Sequence, residues 1–341
     1  MTATLLAFAV ALALSAAATP HVRHLALRIG FTDAPSARKA HAEPIPLLGG
    51  AAIWAAVVVA LASLVDRQAV AELAGIVAGA TLVGVLGLVD DRWPLSAPAK
   101  LFGQLAGAAA LVAAGVAVQA TGVSTIDVAL SIIWVVVVTN AFNFEDNMDG
   151  VAAGLAAVAA GTFVLLAVAN GQLLVAPLAA AVLGASLGFL LYNVSPASIF
   201  MGDGGSQFLG FILAALAIKL RFPGRPTVDT WVVPVLVMAP VLFDLALVVV
   251  ARTRRRVNPF TTAGRDHLSH RLVERGATAR EAALIQWLLG CAAGGLALLA
   301  SFATAGGHIV PWAVMAAVLT AGALAIRRLE WPPARPERTE A

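Results

Sequence analysis

The sequence predicts an all-α, polytopic integral membrane protein with about eleven transmembrane helices, its amino terminus outside and its carboxyl terminus in the cytoplasm. Composition, the length of the apolar runs and the placement of basic residues predict it. Of 341 residues, 60% are hydrophobic and only 12% charged, with a mean hydropathy of +0.90. A soluble domain carries about 25% charged residues, so too little polar surface exists here to clothe a water-exposed core. The single cysteine, Cys291, rules out an internal disulfide framework and a cysteine-based zinc cluster. The net charge of +3 does not point to nucleic acid, because no polar domain interleaves basic residues with exposed aromatics.

A bilayer-spanning helix needs about 20 largely apolar residues. Candidate spans lie near 2–20, 47–65, 70–89, 100–120, 124–142, 150–169, 172–192, 204–220, 230–251, 282–304 and 308–326. The runs are continuous rather than alternating, which favours helices over a barrel. No Lys or Arg precedes the first run, so it reads as an uncleaved span rather than a signal peptide. Residues 1–326 form one membrane domain with polar connections at 21–46, 90–99, 140–150, 193–206 and 252–281; residues 327–341 are a short basic tail. Eighteen of the 22 Lys and Arg fall in odd-numbered connections or the tail, which the positive-inside rule places in the cytoplasm.

The chemistry-bearing groups gather on that same side. Asp90-Asp91 close the third span, and adjacent acids are costly unless a cation joins them. Asn140-Ala-Phe-Asn143-Phe-Glu-Asp146-Asn-Met-Asp149-Gly150 sets three carboxamides and three acids against two apolar spans, where polar groups tend to be functional. Phe200-Met-Gly-Asp203-Gly-Gly-Ser206 opens the eighth span; its glycines permit close backbone approach, and an aspartate there can hold Mg²⁺ while phosphate oxygens complete the shell. The connection at 258–276, with Arg265-Asp266-His267-Leu-Ser-His270-Arg271, is too polar to span, and its charge suits a diphosphate. The opposite connections are short or bland, such as Asn170-Gly171-Gln172. Asp244 sits deep in the ninth span after Pro234 and Pro240; a functional role and structural pairing, with Arg252 as a candidate partner, both stay open. No Walker GxxxxGK[ST] or HExxH motif occurs. Carboxylates, a Gly-rich turn and a basic loop at one membrane face point to metal-assisted phosphoryl transfer to or from a lipid.

These blocks, in order, resemble the polyprenyl-phosphate N-acetylhexosamine-1-phosphate transferases, which include MraY-like and WecA-like branches. The resemblance rests on Lys39-x-His41, Pro44-Ile-Pro-Leu-Leu-Gly49-Gly50, Asp90-Asp91, Asn140-Ala-Phe-Asn143-x-x-Asp146-x-x-Asp149-Gly150, Tyr192-Asn193, Phe200-Met-Gly-Asp203-x-Gly-Ser206 and the late histidine loop. The Lys39 loop, the Pro-Ile-Pro segment and eleven spans look closer to the WecA-like branch. The resemblance implies transfer of a sugar-1-phosphate, GlcNAc-1-phosphate first, from a UDP-N-acetylhexosamine to undecaprenyl or another polyprenyl phosphate, with release of UMP. That is a first membrane step of cell-envelope polysaccharide synthesis at the cytoplasmic face of the inner membrane.

It also implies roles. Asp203 and Asp91 hold Mg²⁺ (Mn²⁺ as the alternative), and Asp90, Asp91, His267 and His270 serve the reaction. Lys39, His41, Asn140, Asn143, Asp146, Asp149, Asn193 and Phe200 line the substrate site, with Phe200 stacking on uracil. Two departures stand out: Ser269 replaces one of two adjacent histidines, and Glu145 occupies a usually apolar position. Besides the lipid bilayer, a second copy of the chain is a candidate partner. The competing expectation is a secondary transporter with its carboxylates as cation or proton sites; such sites usually lie near the midplane between paired repeats, and no repeat is evident here.

Overall fold

The structure, a computed structural model, describes residues 1–33, 44–62, 70–225, 227–262, 264–303 and 309–329. Lys39 and His41 lie outside the described residues. Along the chain come α1 (Thr2–Ile29), β1 (Thr32–Asp33), β2 (Ile45–Pro46), α2 (Gly49–Ala62), α3 (Val70–Arg92), α4 (Ala97–Ala113), α5 (Ser124–Glu145) and α6 (Val151–Ala169). Then follow α7 (Val175–Asn193), α8 (Gly202–Lys219), α9 (Thr227–Thr230), α10 (Val232–Val237), α11 (Ala239–Arg254), α12 (Leu268–Glu274), α13 (Ala279–Ala303) and α14 (Ile309–Leu329). The only strands among the described residues are the antiparallel pair β1–β2, in which Thr32 faces Pro46 and Asp33 faces Ile45.

The chain is a multi-pass membrane protein. Within the described residues each expected span overlaps a helix, but only seven helices there are both long and apolar enough to cross a membrane: α1, α3, α5, α6, α7, α13 and α14. Helices α2 and α4 are shorter apolar helices. The expected ninth span is broken into α10 and α11 at Met238, just before Ala239-Pro240. The physical cause is Pro240, which has no N–H to continue the ladder and disfavours helical geometry at the residue before it. Several helices also run further than apolar content foretold. Helix α1 continues through Pro20 to Ile29, α3 carries Asp90 and Asp91 in its last turn, and α5 carries Asn140 and Asn143.

Helices α6, α7 and α8 form the buried centre, while α14 is largely uncovered. Helix α1 lies along α7, and α3 and α5 lie along α8. The α1–α7 contact carries polar glue: the Ser15 hydroxyl donates to Ala185 O at 2.7 Å, and the Tyr192 hydroxyl to Ala16 O at 3.0 Å. At one end of the bundle, Lys219 pairs with Glu72 at 2.7 Å and Gln172 grips the Arg221 backbone. At the other end, the carboxyl ends of α3, α5 and α7 meet the amino ends of α4, α6 and α8. That junction collects the polar motifs.

Candidate active site

The junction begins with backbone pairing between two motifs far apart in sequence. Phe200 N donates to Pro46 O at 2.8 Å, Gly49 N to Phe200 O at 2.9 Å and Gly50 N to Met201 O at 3.0 Å. The Pro-Ile-Pro-Leu-Leu-Gly-Gly segment therefore lies directly against the turn that opens α8. That turn needs Gly202, whose φ of 68° is left-handed and whose absent Cβ would lie 2.4 Å from Asp91 Oδ2.

Asp91 uses that space. Its Oδ1 accepts from Asp203 N at 2.9 Å and its Oδ2 from Gly204 N at 3.2 Å. Both oxygens thus cap the free amides at the start of α8, where a carboxylate also meets the positive end of the helix dipole. Asp91 therefore ties the last turn of α3 to the first turn of α8. Asp90 anchors the α3–α4 turn by accepting from Leu95 N at 2.6 Å, and it pairs through its other oxygen with Lys100 of α4. Lys100 Nζ also reaches Asp203 Oδ2 at 3.0 Å, so one ammonium on α4 bridges carboxylates from α3 and α8. Asn143 donates to Ser206 Oγ at 3.1 Å, one turn along α8 from Asp203.

One helical turn deeper lies a layer of amides. Asn140 donates to Gln104 Oε1 at 2.7 Å, and Gln104 donates to Gln207 Oε1 at 3.3 Å. Gln104 and Gln207 are buried and Asn140 is half-buried, so the amide layer underlies the carboxylate cluster. Asp146, just past α5, faces the same cluster. Burial and then the charges of Asp203, Asp91 and Asp149 push its carboxyl well above the usual range.

A second wall forms from the turn into α6 and the loop before α8. Asp149 Oδ2 accepts from Ala197 N at 2.9 Å. Asn193 accepts from Gly150 N at 3.1 Å and donates to Ile199 O at 3.0 Å. Being buried and bonded at both ends of its amide, Asn193 fixes the wall that Phe200 and Asp149 present.

The histidine loop closes the third side. His267 Nδ1 lies 2.7 Å from Asp244 Oδ2, and Leu268 N donates to Asp244 Oδ1 at 2.6 Å. Asp244 thereby pairs with His267, not with Arg252. Arg252 bonds Asp266 at 3.1 Å and stands 5.6 Å over the Phe144 ring. Although burial acts to raise it, the Asp266 carboxyl is held below its ordinary range by Arg252 and Arg255. The Ser269 hydroxyl bonds Asn147 Oδ1 at 2.5 Å, tying α12 to the turn after α5. His270 stands edge-on to His267, with ring centroids 6.1 Å apart. Burial, then the neighbouring His267 and Arg265, push the His270 imidazole down to about 4, so it is neutral at physiological pH.

Asp90 and Asp203 therefore meet around Lys100, and Asn143 joins the start of α8 through Ser206; Asp149, Asn193 and Phe200 share one wall; and His267 and His270 lie on the α12 side with Asn147. Sequence reasoning missed Lys100, Gln104, Gln207 and Asn147. A signal for the first three was present: Lys100 with Gln104, and Asp203 with Gln207, are polar pairs four residues apart entering an apolar run.

Comparison with known proteins fits this arrangement. The model of glycosyl transferase family 4 matches residues 73–221. A probable undecaprenyl-phosphate N-acetylglucosaminyl 1-phosphate transferase of Bacillus subtilis is 34% identical over 294 residues, covering 83% of this chain and 81% of its own length. The chain belongs to glycosyl transferase family 4. A decaprenyl-phosphate N-acetylglucosaminephosphotransferase of Mycobacterium tuberculosis is 36% identical over 308 residues, 80% of this chain and 76% of its own. More distantly, the phospho-N-acetylmuramoyl-pentapeptide-transferase of Bacillus cytotoxicus is 32% identical over 242 residues, 63% and 73% respectively. The family match spans α3 through α8, the segment that supplies the Asp90–Lys100–Asp203 cluster and the second wall.

Proposed function

We propose that this protein transfers a sugar-1-phosphate, N-acetylglucosamine-1-phosphate first among the candidates, from a UDP-N-acetylhexosamine to a polyprenyl phosphate. The products are a polyprenyl-diphospho-sugar and UMP, and the reaction takes place at the cytoplasmic face of the plasma membrane. The observation that carries this reading is the Asp90–Lys100–Asp203 cluster, set at a helix junction where an apolar acceptor can lie alongside in the bilayer. The transporter alternative finds no support, because the relatives that match over most of the chain are transferases.

The donor set fits Mg²⁺. Among the described residues, no three His, Cys, Asp or Glu gather closely enough to hold a metal unaided. Two carboxylates, Asp90 and Asp203, do share a cation in the form of the Lys100 ammonium. Mg²⁺ is commonly held by one or two carboxylates, with water and substrate phosphates completing its octahedron. When bound, it supplies charge neutralisation on the diphosphate.

The protein's own groups do the positioning. Lys100 offers a second positive charge to the diphosphate, and neutral His270 offers a hydrogen bond without competing for a proton. Phe200 and Asp149 orient the nucleotide, and Asp91 holds the start of α8 so that Asp203 stays aimed. The acceptor phosphate oxygen bonds to the β-phosphorus while the bond from that phosphorus to the bridging oxygen breaks, and UMP departs with that oxygen. A phosphate monoester has a second pKa near ~6, so the acceptor is mostly dianionic at neutral pH and needs little help from a base. A single displacement suffices, and trapping a kinetically competent aspartyl-phosphate from UDP-sugar alone would overturn it.

The test is purified protein with labelled UDP-GlcNAc, UDP-GalNAc and related sugars, each with undecaprenyl phosphate and no membrane gradient. UMP release that requires both substrates and Mg²⁺, and that collapses in a folded Asp203→Asn variant, is the expected result. Undiminished turnover in Asp203→Asn refutes the metal assignment, and no UMP release with any sugar refutes the function.

A further inference from the structure

Helix α13 lies outside every motif, yet two of its side chains reach into the second wall. Trp287 Nε1 donates to Gly150 O at 3.1 Å. The indole lies so close to α6 that a Cβ at Gly154 would fall 1.9 Å from Nε1. Two turns earlier on α13, the exposed Arg280 donates from Nε to Ser195 O. Gly150, at φ 75°, is thus gripped from both sides: its N–H by Asn193 of α7 and its C=O by Trp287. The adjoining loop is gripped as well, at Ser195 O by Arg280, at Ala197 N by Asp149 and at Ile199 O by Asn193.

We propose that Trp287 and Arg280 are positioning residues for the nucleotide sugar: α13 braces the turn that aims Asp149 and the loop that presents Phe200. The inference rests on the transferase reading, which assigns this wall to the nucleotide. A left-handed glycine turn has other backbone conformations within reach, and a wall held within fractions of an ångström binds better than one that samples them. A side-chain donor on each of two backbone carbonyls removes those alternatives. Because Asp90, Lys100 and Asp203 lie on α3, α4 and α8, loosening the brace weakens ground-state binding of the nucleotide more than the phosphoryl step. In kinetic terms, KM for the nucleotide sugar rises while kcat holds.

The experiment uses the full chain in lipid nanodiscs. Trp287→Phe keeps an aromatic ring and removes the donor; Arg280→Gln alters a surface side chain without touching the core. UMP release is measured with UDP-GlcNAc varied at saturating undecaprenyl phosphate and then the reverse, and UDP affinity is measured separately by calorimetry. Loss of one hydrogen bond is expected to raise KM for UDP-GlcNAc and the Kd for UDP by roughly two- to tenfold in each variant. The acceptor KM should stay unchanged, and kcat should stay within about twofold on the same reasoning. Unshifted KM and Kd in both variants overturn the proposal. So does a fall confined to kcat and melting temperature, the signature of a general packing role. Normal wild-type turnover with unshifted variants sinks the brace alone, whereas a wild-type protein that neither turns over nor binds UDP sinks the transferase reading and the brace with it.

Discussion

Asp244→Asn isolates what the His267 pairing does. The wild-type carboxylate is 1% exposed and accepts two hydrogen bonds, from His267 at 2.7 Å and from Leu268 N at 2.6 Å. With the carboxylate accepting, His267 carries its proton on Nδ1 and presents Nε2 as an acceptor. Asparagine can keep the Leu268 bond through its carbonyl oxygen, but its amide group then faces Nδ1. The imidazole must respond by moving its proton to Nε2, which reverses the polarity of the edge it offers. The fold should lose only about 1–2 kcal/mol, the difference between a charged and a neutral acceptor. Asp244→Ala, in contrast, strands two buried donors at about 1–3 kcal/mol each, or roughly 2–6 kcal/mol in all. Thermal unfolding of both variants, beside kcat/KM for UMP release, separates the two effects. Asp244→Asn should be folded yet slowed at least about tenfold, a loss of ~1.4 kcal/mol or more in transition-state stabilisation. A folded Asp244→Asn enzyme with wild-type kcat/KM refutes an oriented His267, and an Asp244→Ala protein as stable as wild type refutes the energetic account of the pair.

Three further predictions follow from buried groups. Glu145 is 1% exposed and neither carboxyl oxygen has a hydrogen-bond partner, so Glu145→Leu should stabilise the protein by about 1–3 kcal/mol; a lower melting temperature would show that the acid is engaged. The His270 imidazole is pushed down to about 4 from 6.5, so the unfolded chain takes up this proton first as the pH falls. The stability it contributes is present above pH 6.5 and lost on the way to about 4, and the pH dependence of melting in that window should flatten in His270→Gln; identical slopes would contradict it. Ser269→Ala removes the tie from α12 to Asn147 and should cost about 1 kcal/mol together with part of kcat; unaltered activity would mean Asp244 alone holds α12.

Seven of the spans were legible because crossing a bilayer demands apolar length, a property each segment declares by itself. The gathering of Asp90, Asn143, Asp149 and Asp203 at one end was legible for a related reason, since antiparallel crossings sort connections by parity. What a segment cannot declare is which face of a helix meets which neighbour. Asp90 and Asp91 are adjacent in sequence, yet one bridges to Lys100 and the other caps α8, a distinction that depends on the rotation of α3. Lys100 was not singled out because its partners come from two other helices. Asp244 and His267 are 23 residues apart, with a helix end and a polar loop between them, so proximity along the chain pointed instead to Arg252. The break at Met238 was half visible in Pro240, whose effect on a long apolar run is local. Ser269 looked like an isolated oddity and Asn147 went unremarked; only their contact makes them one feature.

The bond between Ser15 and Ala185 crosses 170 residues of chain. Ribosomes add roughly 5–20 residues per second, so the first helix waits on the order of 10–30 s before the surface it belongs to has been made. During that interval its small-residue stripe faces lipid, and its hydroxyls can turn inward to carbonyls of their own helix, as Thr19 does toward Ser15 O. Assembly is therefore a late docking event between preformed helices. A chain stalled before α7 would leave that stripe open to any passing helix, and insertion chaperones would have the most to guard at that stage of synthesis.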